Sequence, residues 1–121
     1  MPFLVHYGWP TPDKYRMEED PYQTLGPKWR KKIFESVLAS VSISVYPRGI
    51  PSPFNRCYDR VLTALDYAPD DVLLISLDDA DYQFLREMFN NREAAVPHFQ
   101  TRAFALLQDS IAAAQSVQAE R

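Results

Sequence analysis

The apolar side chains of this chain recur with changing rhythm, and each change of rhythm predicts a change of element. From Lys28, the residues Trp29, Ile33, Phe34, Val37, Leu38 and Val41 follow the i, i+4, i+8 spacing of a helix face, and Pro27 suits the first helical position. Immediately afterwards Val41, Ile43 and Val45 alternate with Ser40, Ser42 and Ser44, the period-two pattern of a half-buried strand that ends at Pro47. The border between this helix and this strand falls near Ser40. Arg48 to Pro53 reads as a loop, with Ser52 placed to cap a helix whose first residue is Pro53. In that helix Phe54, Cys57, Tyr58, Val61, Leu62 and Leu65 form one broad apolar stripe, leaving Arg56, Asp59, Arg60 and Thr63 to water, and Pro69 marks its end.

Val72 to Leu77 is a continuous apolar run of strand length between Asp70-Asp71 and Asp78-Asp79, which predicts a buried strand, with a helix as the alternative that periodicity alone leaves open. Asp78 is placed to cap a helix carrying Phe84, Leu85, Met88 and Phe89, and Asn90-Asn91 supply the left-handed conformers that stop one. Pro97 opens a last helix with Phe99, Ala103, Leu106, Leu107, Ile111 and Ala114 on one side, fraying through Ala112–Ala114, Gln115, Gln118 and Glu120. The pattern predicts an α+β fold that is predominantly helical, with about four amphipathic helices and one or two short strands.

The first 27 residues follow no such rhythm. Pro2, Pro10, Pro12, Pro21 and Pro27 are interspersed with Phe3, Tyr7, Trp9, Tyr15 and Tyr22, which rules out a long helix and is too aromatic for an idle tail. Residues 1–27 are therefore expected to form an extended N-terminal arm, and residues 28–121 a single globular domain. Extended segments with fixed prolines lose less entropy on binding, and Tyr and Trp make good anchors. Tyr7, Trp9, Tyr15 and Tyr22 are thus candidate partner-binding residues, for another protein or a second copy of this chain. The competing expectation is that the arm packs across its own domain and completes the core.

Composition narrows the setting. A chain of 121 residues with 46% hydrophobic and 13% aromatic residues is of one-domain size and apolar enough to fold unaided. A formal net charge of −3 argues against bulk attraction to nucleic acid or to an anionic bilayer. Cys57 has no second cysteine with which to form an internal disulfide, so the cytoplasm is the expected compartment. Met1 to Trp9 is too short and too polar for a secretory segment, and no apolar run approaches the roughly 18 residues of a membrane span.

Candidate chemistry is sparse. Asp66, Asp70, Asp71, Asp78, Asp79 and Asp81 form the richest acidic stretch, but they lack the alternation, central glycine and terminal glutamate of a calcium loop. Their expected role is to favour helix N-termini. Cys57 with His98 or His6 would need an exposed, activated thiol, whereas Cys57 falls on the apolar stripe of its helix. Two histidines and one cysteine make no zinc pattern, and Gly8, Gly26 and Gly49 make no phosphate-binding loop or nucleophile elbow. No catalytic residue, metal or cofactor is expected. The one basic cluster, Lys28, Arg30, Lys31 and Lys32 around Trp29, is a candidate nucleic-acid site by stacking and phosphate contact. Lys31 and Lys32 are equally placed to pair with Glu35 on a solvated face. The direction in which Trp29 points discriminates, because a buried ring cannot stack on a base.

From Arg56 through Ala114 the order is an amphipathic helix, an Asp-rich turn, Leu-Ile-Ser-Leu-Asp-Asp-Ala-Asp-Tyr at 74–82, a short helix ending at Phe89, and a proline-led helix with a Phe99-to-Leu106 stripe. This order resembles small accessory proteins encoded by tailed phages and prophages, over about half of the chain; the aromatic arm is a departure from it. The resemblance carries over no catalytic residue, and it implies binding to other proteins during particle assembly or host takeover. The functional expectation is a non-enzymatic protein–protein interaction module, with a nucleic-acid-associated regulator using residues 28–32 as the alternative.

Overall fold

A computed structural model describes residues 3–6, 27–69 and 74–116, and the Ser-rich stretch after Ser40 is helical rather than extended. Helix α1 runs unbroken over Pro27–Val45. At about 100° per residue, Val41 and Val45 lie within roughly 20° of Phe34 around the helix axis, whereas Ile43 lies about 180° away. Phe34, Val37, Leu38 and Val41 are accordingly fully buried and Ile43 is exposed. The serines do not break the helix because their hydroxyls bond back into it: Ser42 Oγ donates to the Ala39 carbonyl and Ser44 Oγ to the Val41 carbonyl, each at 2.8 Å. Period two and period 3.6 agree at Val41 and Val45 and part at Ile43, which is exposed, and at Ser42, which is buried, and both follow the helical period.

Helix α2, Phe54–Tyr67, buries Cys57, Val61 and Leu65 as its spacing predicts. Its start differs from expectation: Pro53 is the N-cap and no side chain caps it, so Ser52 does not play that part. The chain then reaches strand β2, Leu74–Leu77, and helix α3, Asp79–Phe89. Asp78 is the N-cap of α3 by position, in extended conformation, but its carboxylate makes no capping hydrogen bond. At the other end Asn90 has φ −97° and ψ 1°, so α3 stops without a left-handed residue there. Pro97 opens not the α-helix itself but a single 3-10 turn, His98–Gln100, which leads into α4, Thr101–Ala113.

Strand β1, Phe3–His6, forms the middle of an antiparallel sheet in the order β2-β1-β3, where β3 is Gln115–Ser116. Phe3 is opposite Leu77 and Val5 opposite Ile75 on one side, and Phe3 opposite Ser116 on the other. Val5 is fully buried, so the first residues assigned to the arm belong to the globular core. Residues 7–26 lie outside the described residues.

The resulting fold is α+β and predominantly helical. One core joins Val5, Ile75 and Leu77 of the sheet to the inner faces of all four helices, including Leu85, Phe89, Leu106 and Ile111. Two contacts tie the sheet end of this core together. Phe3 stacks on Tyr82 with centroids 4.0 Å apart, and Tyr82 Oη donates a 2.7 Å hydrogen bond to the Ile111 carbonyl. Among the described residues no helix is long and apolar enough to cross a membrane.

Candidate functional site

Among the described residues, two clefts between the helices have linings that differ in kind. The first, about 500 Å³, lies between α2 and α3 and is lined by Phe54, Arg56, Cys57 and Arg60 from one helix and by Gln83, Phe84 and Glu87 from the other, among others. Phe54 and Phe84 stack across it with centroids 5.8 Å apart. Behind them Asp81 is only 3% exposed. It points inward, away from the capping role expected of it, because its place in the first turn of α3 faces α2. Arg60 Nε donates to both Asp81 carboxylate oxygens at 2.9 Å, and Arg60 Nη2 lies 2.9 Å from Oδ1. A buried carboxylate held by a forked guanidinium is a satisfied brace between two helices.

Cys57 shares this corner, buried as its place on the stripe predicts. Arg60 Nη2 donates to its sulfur at 3.6 Å, while the thiol faces the Ala80 carbonyl at 4.0 Å. Burial pushes the Cys57 thiol up, the neighbouring Asp81 adds to that, and Arg60 opposes it. A thiol held in its neutral form is a poor nucleophile. His98 is exposed on the 3-10 turn and lines neither cleft, and the side chain of His6 lies outside the described residues. Among the described residues no three His, Cys, Asp or Glu side chains gather as a metal site.

The second cleft, about 250 Å³, lies between α1 and the junction of the 3-10 turn with α4, lined by Trp29, Lys32, Ile33, Ser36, Phe99, Gln100 and Ala103. Its wall on α1 is a stripe at positions 29, 32, 33 and 36, on the flank turned away from Phe34. Trp29 is 56% exposed and Phe99 74% exposed. Both were expected on core-facing stripes; Trp29 lies about 140° around α1 from Phe34, whereas the next residue, the buried Arg30, lies about 40° from it, and Phe99 sits on the 3-10 turn ahead of α4. Beneath them Gln100 is only 6% exposed. Its amide Nε2 donates to Ser36 Oγ, and its Oε1 accepts a 2.8 Å hydrogen bond from Ser40 Oγ. Sequence patterning missed Gln100 because a polar residue after Pro97 reads as surface. The hydroxyls at Ser36 and Ser40, one helical turn apart, were the signal that a polar partner lay opposite.

The basic cluster does not form one cationic face. Arg30 is turned inward and buried. The Lys31 ammonium donates to the Ala68 carbonyl at the end of α2, where a cation suits the helix C-terminus. Lys32 Nζ lies over the Trp29 ring, 4.8 Å from its centroid. Glu35 lies within the field of Lys31 and Lys32, but its carboxyl hydrogen-bonds to Asp66 of α2. Desolvation raises the Glu35 carboxyl above its ordinary value, the Asp66 hydrogen bond and charge raise it further, and the two lysines oppose them. Trp29 nonetheless points outward, so its ring is accessible. Tyr7, Trp9, Tyr15 and Tyr22 lie outside the described residues.

Comparison of the chain with known protein families, with curated proteins and with solved structures finds no match in any of the three.

Proposed function

We propose that this protein is a non-enzymatic protein–protein interaction module that takes its partner at the cleft between Trp29 and Phe99. The observation that carries this reading is the exposure of two large aromatic rings on opposite walls of one cleft, over a buried and hydrogen-bonded polar base. Aromatic anchors around a fixed pocket are the commonest energetic centre of a protein interface. The resemblance of residues 56–114 to phage and prophage accessory proteins supports a partner met during particle assembly or host takeover, and Tyr7, Trp9, Tyr15 and Tyr22 supply further anchors in this reading.

Affinity capture from native lysate tests it, comparing the intact chain with Trp29→Ser/Phe99→Ser and with a chain in which Tyr7, Trp9, Tyr15 and Tyr22 are Ser. Strand β1 is kept in all three, because Val5 belongs to the core. The expected result is a partner held by the intact chain and lost from the cleft variant at unchanged melting temperature. Retention of every captured protein by that folded variant would overturn the reading.

A second reading, a nucleic-acid-associated regulator, is favoured by the exposed Trp29 ring with Lys32 beside it. The inward turn of Arg30 and the engagement of Lys31 with Ala68 count against it. It requires binding to single-stranded nucleic acid that weakens steeply with salt.

A further inference from the structure

We draw no further inference here: the strongest candidate, the exposed face of helix α1 running from Trp29 through Ser36 to Ile43, continues the cleft already described, and nothing in the structure shows what covers it.

Discussion

The two interhelical clefts solve opposite problems with similar residues. Between α2 and α3, the charged side chain that reaches the interior, Asp81, meets its counter-charge within the fold, and Phe54 stacks on Phe84 of the facing helix. Between α1 and α4, the buried polar group Gln100 is satisfied by Ser36 and Ser40, but the aromatic rings above it stay largely exposed. One cleft is a brace whose interactions close on themselves. The other is a hydrogen-bonded base beneath two largely exposed aromatic rings, the feature on which the proposed docking site rests. The proposed docking cleft is thus the smaller of the two described, chosen for its exposed rings and not for its volume.

The contrast presupposes that both clefts stand on one tightly packed core. Leu85→Ala, at a fully buried position of α3, should cost about 2–5 kcal/mol in denaturant unfolding, and a loss below about 1 kcal/mol would show that the core is not packed as described. Next in size, Arg60→Ala should lower the melting temperature clearly, because it leaves the buried Asp81 carboxylate without its partner, whereas Lys32→Ala should leave it unchanged. Equal effects would erase the distinction between brace and recognition site. Gln100→Ala removes the group bridging Ser36 and Ser40 and should cost about 1 kcal/mol of stability, with a larger proportional loss of partner binding than of fold.

The smallest effect concerns pH and sharpens where α1 meets α2. The Glu35 carboxyl is raised above its ordinary 4.5, so the folded state holds a proton more tightly than the unfolded one. That contribution is fully present below the unfolded value and is lost as pH rises through the folded value. Glu35→Gln should therefore flatten the decline in stability as pH rises above about 4.5, read by thermal melts across that rise. An unchanged slope would show that burial and Asp66 together do not raise the Glu35 carboxyl as described.

Much of the helical framework is legible in the sequence, because α2 and α3 each keep one face to the core and their spacing records it. The serine run after Ser40 misleads because Val41 and Val45 satisfy two periods at once, and only the exposed Ile43 and the buried Ser42 separate them. Strand β1 is four residues long and pairs with a strand about seventy residues away, so no local pattern betrays it. The candidate site is less legible still. Trp29 and Phe99 were read onto apolar stripes, but Trp29 falls about 140° around α1 from Phe34 and Phe99 lies on a 3-10 turn before α4 begins. Asp81 sits amid acids that favour a helix N-terminus, yet its partner Arg60 lies on another helix. Such pairings are tertiary facts, and periodicity carries no record of them.

Hydroxyl-radical footprinting of the protein alone and with its captured partner tests the central claim most directly, because it reads the side chains of both clefts in one experiment. Trp29 and Phe99 should lose labelling in the complex while Phe54 keeps its own. Protection of Phe54 with Trp29 and Phe99 unchanged would contradict the account and move the interface to the α2–α3 groove.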